Sequence, residues 1–217
     1  MARACSAAGR DAAHVTLVAV SKTQPADALR VLAQAGQVAF GENYLQEALT
    51  KQAALADLPL QWHFIGPIQS NKTRDIAARF DWVHSVERLK IAQRLNDQRP
   101  AEAPPLSVCV QVNVSREASK SGCAPGELAA LAAAIAELPR LRLRGLMAIP
   151  APIAQSADPA QPYRLLREAF EALRALGLPV DTLSMGMSDD FELAITHGAT
   201  HVRVGSALFG PRPSNPL

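Results

Sequence analysis

The sequence predicts an α/β protein built as a single closed (β/α)8 barrel of the TIM type. Three observations lead there: short β-branched runs alternate with longer stretches rich in alanine and leucine, the longer stretches carry apolar residues at three- and four-residue spacing, and the short runs number eight. The runs are continuously apolar, as strands covered on both faces require, whereas an open antiparallel sheet would alternate with polar residues. An open doubly wound sheet is the alternative that this pattern leaves standing.

Taken in order, the first strand is expected over Val15–Val20, the run VTLVAV. A helix follows over Pro25–Gln34, with Pro25 suited to a first turn and Gly36 just past the end. Gln37–Phe40 reads as the second strand, Tyr44–Ala56 as a helix, Gln61–Ile65 as the third strand and Lys72–Arg79 as the helix after it. Trp82–Ser85 and Leu106–Val112 are the fourth and fifth strands, separated by a helix over Glu87–Asn96 and a linker-like stretch with Pro100 and Pro104. Pro125 opens a helix to Glu137, and Leu143–Met147 forms the sixth strand. A polar connection over Gln155–Pro162 leads to the helix Tyr163–Leu176, which Gly177 ends. Thr182–Ser184 and His201–Val204 complete the sheet on either side of the helix Asp189–His197. A cut at either polar connection would leave incomplete parallel sheets, so residues 1–217 read as one domain, with residues 1–14 the remnant of a fuller helix ahead of the first strand.

With 48% hydrophobic and 19% charged residues, the composition excludes disordered and collagen-like chains. The formal net charge is +2 and the basic residues are scattered, so neither a nucleic-acid footprint nor a polybasic membrane patch is expected. Cys5, Cys109 and Cys123 lack CxxC or zinc-ligand spacing, and His84, His197 and His201 form no metal pattern. No metal is expected, and a reducing compartment is favoured. Without a signal-type apolar run near the N-terminus or a bilayer-length apolar segment, the expected location is the cytoplasm.

Lys22 follows the first apolar run, so it falls at the carboxyl end of a strand, where β/α barrels assemble their sites. A lysine amine in a partly desolvated pocket can lose its proton and condense with an aldehyde; a solvated lysine in the turn before Pro25 fits the local sequence equally. The segment SMGMS, Ser184–Ser188, precedes a helix, and Ser188 with the exposed N–H groups there suits an anion. Gly205 and Ser206 repeat the arrangement after the last strand, and turns after the seventh and eighth strands form the usual barrel phosphate site. An ordinary helix cap at Ser188 and a turn at Gly205 are the plainer reading.

The segments AVSKTQP around Lys22, GENYLQE from Gly41, WHFIGPIQSNK from Trp62, LMAIP from Leu146 and SMGMSDDFELAITHGATHVRVGSALFG from Ser184 together resemble the YggS/PROSC family of pyridoxal-phosphate homeostasis proteins, over about Val15 to Gly210. The resemblance implies a barrel like the N-terminal domain of alanine racemase, pyridoxal 5′-phosphate (PLP) as cofactor, and Lys22 as the lysine that holds it as an internal aldimine. It also implies Arg203 near the pyridine nitrogen, with SMGMS, Gly205 and Ser206 around the phosphate. An arginine does not readily give up its proton to the ring, so Arg203 argues against strong carbanion chemistry. Asn43 is expected to hydrogen-bond in the pocket, Tyr44 to form a wall or pack, and Glu42 to stabilise the loop. His63 is expected either to point at the cofactor or to be satisfied in the core. Met147 and Met187 offer a polarizable surface to a planar ring, or fill the core. Lys72 is placed near the pocket mouth or at a helix start.

The function implied is reversible binding, buffering and delivery of PLP, by a monomer in transient contact with PLP-dependent enzymes and without robust catalysis. Amino-acid racemisation is the enzymatic alternative. It needs acid/base groups on both faces of the substrate carbon, no motif recommends Tyr44 or Tyr163 as the second one, and the sequence leaves no room for the second domain that racemases carry. Noncovalent binding of another phosphate metabolite is a third possibility.

Overall fold

The structure, a computed structural model, describes residues 1–115, 121–153 and 157–210. Its strands are β1 (Thr16–Val20), β2 (Ala39–Glu42), β3 (Gln61–Phe64), β4 (Trp82–Val86), β5 (Leu106–Gln111), β6 (Leu141–Met147), β7 (Thr182–Ser184) and β8 (His201–Val204). They are parallel and close a barrel in sequence order, with β8 paired back onto β1 from Thr16↔His201 to Ala19↔Val204. The closed barrel excludes the open sheet.

Helices α1 (Ala2–Ala7), α2 (Ala26–Gln34), α3 (Leu45–Ala54), α4 (Thr73–Arg79), α5 (Leu89–Gln98), α6 (Leu128–Ala136), α7 (Gln161–Ala175), α8 (Phe191–Thr196) and α9 (Ser206–Phe209) complete the described elements. Apolar side chains on their inner faces, among them Leu29, Ile91, Ile135 and Leu166, are fully buried against the sheet. Each contributes about 1.5–3 kcal/mol relative to exposure. The remnant helix expected over residues 1–14 is α1 followed by a short 3₁₀ turn: it buries Ala4 and Cys5 beside α8, and Arg10 donates to the carbonyl of Ile195 in α8 and to that of Ala199 in the loop beyond it.

Several bounds shift by one or two residues from expectation, among them the sixth strand, which starts at Leu141 and not Leu143, and the helix expected over Glu87–Asn96, which is Leu89–Gln98. The second strand is Ala39–Glu42 and not Gln37–Phe40, because Gln37 turns its side-chain amide onto the carbonyls of Leu17 and Ala39 while Gly41 and Glu42 continue the ladder opposite His63 and Phe64. The helix expected from Pro125 begins as a 3₁₀ turn over Pro125–Glu127 before α6. Helix α9 was not expected. Part of the connection Gln155–Pro162, residues 155 and 156, lies outside the described residues.

The barrel interior is polar and aromatic. Rings of His63 on β3, Trp82 and His84 on β4 and His201 on β8 approach one another across the sheet, with His63 stacked on Trp82 at 5.4 Å and His201 5.0 Å from Trp82. Arg144 on β6 lies 4.5 Å over the Trp82 ring, and Cys109 and Met147 pack beside it. Burial holds His63 and His84 well below the ordinary histidine range and pushes His201 down to about 4, so all three are neutral at pH 7.

Candidate cofactor site

A cavity of about 310 Å³ opens at the carboxyl ends of the strands. Val20 and Lys22 reach it from β1, Asn43 from the end of β2, Ile65 from β3, Ile149 from β6, Met187 and Ser188 from β7, and Arg203, Gly205 and Ser206 from β8. Parallel strands place every one of these positions on the same rim, which is how residues distant in sequence converge.

Of the residues expected at the site, Lys22, Asn43, Met187, Ser188, Arg203, Gly205 and Ser206 line this cavity, and His63, Met147 and Ser184 do not. These three face inward from within their strands and lie one layer below the rim. Met147 packs with Trp82 and Cys109 as core filling, and His63 is the satisfied core histidine, bonded to His84 and Gln61. Ser184 touches the site through Arg203. Lys72 and Tyr44 also stay out of the cavity: Lys72 ends a 3₁₀ turn before α4, and Tyr44 is exposed ahead of α3. Val20, Gln24, Ile65, Ile149, Asp189, Phe209 and Gly210 also line the cavity without having been placed there from the sequence, and only their closeness to strand ends or to the last glycine turn could have marked them.

Arg203 forms the polar floor. It is 4% exposed, donates to Ser184 Oγ at 2.8 Å and to the Ala148 carbonyl at 2.9 Å, and burial lowers it to about 10, which leaves it cationic at neutral pH. Below it runs a chain in which Ser184 Oγ lies 2.7 Å from His84 Nδ1, His84 Nε2 2.9 Å from His63 Nδ1, and His63 Nε2 3.0 Å from Gln61 Oε1. One placement of hydrogens satisfies every member. Arg203 can only donate, so Ser184 accepts from it and donates to His84; His84 donates through Nε2 to His63, and His63 through Nε2 to Gln61. Both imidazoles are neutral in that arrangement, in agreement with their burial.

The rim over β7 and β8 is formed by two loops that are fastened to each other. Ser188 Oγ accepts the backbone N–H of Gly205 at 3.2 Å and of Ala207 at 3.3 Å, so one hydroxyl oxygen ties the two loops together. Asp190, 6% exposed, fastens the first loop from behind by accepting the Met187 N–H and the Tyr163 hydroxyl. Burial and the Asp190 carboxylate raise Tyr163 far above the ordinary phenol range. Gly186 takes φ +92°, a left-handed turn that brings Met187 and Ser188 to the cavity.

This donor set fits pyridoxal phosphate. A primary amine and the hydroxyl-bearing residues Ser188 and Ser206 line one cavity with a buried cation, and Asn43 contributes Oδ1, a buried acceptor without a protein partner. Among the described residues no cluster of histidine, cysteine or carboxylate side chains has the form of a metal site.

Fold and site together define a β/α barrel of the alanine racemase N-terminal-domain class, and a sequence profile of that domain matches residues 3–213. The chain belongs to the family of pyridoxal phosphate homeostasis proteins. The relative of that name from Pseudomonas aeruginosa is 68% identical over 209 residues, covering 96% of this chain and 90% of its own. The one from Escherichia coli is 54% identical over 212 residues, covering 96% and 91%. PipY of Synechococcus elongatus, solved with PLP bound, superposes with a TM-score of 0.84 at 40% identity over 96% of this chain and 98% of that one. Alanine racemase from Corynebacterium glutamicum shares the fold, with a TM-score of 0.72 at 20% identity over 99% of this chain and 60% of that enzyme.

Proposed function

We propose that this protein binds pyridoxal 5′-phosphate covalently through Lys22 and serves as a PLP homeostasis protein, buffering the cofactor and releasing it, rather than as a racemase. The observation that carries this reading is the convergence of Lys22, Arg203 and the Ser188–Gly205 loops on one cavity. The homeostasis role of its relatives and the PLP-bound PipY support it. When bound, the cofactor supplies an aldehyde that condenses reversibly with an amine, releasing one water. Lys22 presents that amine from the β1 side of the cavity. Ser188, Gly205 and Ser206 hold the phosphate from the β7–β8 side, and Arg203 stays charged beneath, keeping its protons on the guanidinium. Neither tyrosine lines the cavity, since Tyr44 is exposed and Tyr163 is spent on Asp190, so the lining has no tyrosine to act as an opposite-face base. We also propose that the chain works as a cytoplasmic monomer that hands PLP to dependent enzymes in transient contacts, with no nucleic acid or membrane partner. Its near-neutral charge, three buried free thiols and lack of any described helix long and apolar enough to cross a membrane support that setting.

The test is absorbance of the purified protein with added PLP, followed by borohydride reduction and peptide mass mapping, beside Lys22→Ala. A reduced adduct on Lys22 that is lost in the variant supports the assignment, and solvent deuterium staying out of the α carbon of added alanine separates binding from racemisation. No adduct, or equal labelling without Lys22, overturns it in favour of noncovalent phosphate ligands.

A further inference from the structure

The backbone on both sides of Lys22 is tied to one side chain on α3. Lys51 is 4% exposed, and its ammonium donates to the Ser21 carbonyl at 2.6 Å, to Glu42 Oε1 at 2.7 Å and to Glu47 Oε1 at 2.5 Å. Glu47 Oε1 in turn accepts the backbone N–H of Thr23, and Glu42 Oε1 accepts the Ser21 hydroxyl at 2.7 Å. The residue before Lys22 is therefore held by its carbonyl and its hydroxyl, and the residue after it by its amide.

Thr23 needs that hold. It has φ +66°, and among the described residues it is the one non-glycine in the left-handed region, which a β-branched side chain disfavours. An ammonium has three N–H groups, and all three are used here. A pair that only joined β2 to α3 would need Glu42 alone; of the other two bonds, one goes directly to the Ser21 carbonyl ahead of Lys22, and one goes to Glu47 on α3 itself, which holds the Thr23 amide. Replacing Lys51 by an apolar residue leaves two carboxylates and a carbonyl without their common donor.

We propose that Lys51 is a positioning residue for cofactor attachment: with Glu42 and Glu47 it clamps Ser21 and Thr23, so that the Lys22 amine is presented to an aldehyde in the cavity. The inference rests on the reading that Lys22 carries PLP. The anion cradle on β7 and β8 uses none of these groups, so the clamp governs covalent attachment and leaves phosphate binding alone.

The test compares full-length Lys51→Met with the unsubstituted chain in three measurements. These are borohydride trapping of PLP at Lys22, binding of pyridoxine 5′-phosphate, which has the ring and phosphate but no aldehyde, and amide exchange over residues 21–24 without ligand. Trapping is expected to slow about tenfold and the Thr23 amide to exchange faster. Pyridoxine 5′-phosphate is expected to bind within about twofold of the unsubstituted chain, as a distant and independent contact should. Glu47→Gln, which keeps an acceptor oxygen for the Thr23 amide, is expected to slow trapping less than Lys51→Met does. Undiminished trapping in Lys51→Met, or parallel loss of both ligands, overturns the clamp. Should Lys51→Met not fold, Glu47→Ala frees Thr23, leaves the Glu42–Lys51 pair in place and is judged by the same three readouts. No trapping at Lys22 in the unsubstituted chain overturns the underlying reading instead, and the exchange of Thr23 then judges the clamp separately.

Discussion

Arg203 Nη1 donates to the hydroxyl of Ser184 at 2.8 Å, and the second nitrogen of the same guanidinium goes to a backbone carbonyl. A buried cation usually meets a carboxylate. Here its hydrogen-bonded neighbour is a serine whose own proton is taken up by a file of neutral histidines. The floor of the cavity thus stays positively charged, which suits an anionic ligand.

Ser184→Ala removes the shared link of that file and strands Arg203 Nη1 and His84 Nδ1 in a site with no exposure. The expected loss is about 1–3 kcal/mol, read as a lower urea midpoint with an unchanged slope.

Stability should fall on mild acidification. His63, His84 and His201 have folded-state values below the ordinary 6.5, so the unfolded chain binds more protons once the pH drops through that value. Each contributes stability that is complete above pH 7 and is lost, at roughly 1.4 kcal/mol per pH unit, as the pH falls from about 6.5 towards its folded value. Glu42, raised by burial, opposes this slope as a single group. Urea midpoints are expected to be level from pH 8 to 7 and to decline from pH 6.5 to 5, with a shallower decline in His201→Asn.

Ser188→Ala removes the oxygen on which the N–H groups of Gly205 and Ala207 converge. Retention of PLP through gel filtration is expected to weaken about tenfold, while the melting temperature without ligand changes little, because Ser188 is only half-buried.

Gly186→Ala places a methyl group 2.6 Å from Ala194 Cβ at φ +92°. Strain and overlap of this kind cost about 1–3 kcal/mol, or roughly 2–12 °C in melting temperature for a chain of this size. The variant should also lose PLP, since Met187 and Ser188 move with the turn.

The thiols should be silent in the native protein. Burial raises Cys109 to about 12 and Cys123 to about 11, and Cys5 is fully covered on the inner face of α1. A disulfide-exchange reagent at pH 8 is expected to label none of the three until denaturant is added.

The barrel was legible because most strands carry their own apolar run, and the place of Lys22 on the cavity because it stands just past the first of them. The second strand was harder to place, since Gly41 and Glu42 are poor strand formers on their own and sit in the ladder through contacts with β3. Depth was the other difficulty. Ser184 and Ser188 stand in one motif, yet one is buried in the barrel and the other is on its rim, and only the end of β7 at Ser184 separates them. The partnership of Lys51 with Ser21 joins elements that no local pattern connects, and α9 is too short to show a periodicity.

Because the cavity is lined by Lys22 after the first strand and by Ser188, Gly205 and Ser206 after the last two, almost the entire chain must be folded before the two sides of the proposed site face each other. A nascent chain still lacking β8 has no floor arginine and no second loop. A ligand held at the proposed site would recognise only finished barrels, and by mass action it would deepen the free-energy well of the closed form alone. Cofactor occupancy in a growing cell would then record how many copies have completed synthesis and folding, as well as how much PLP is available.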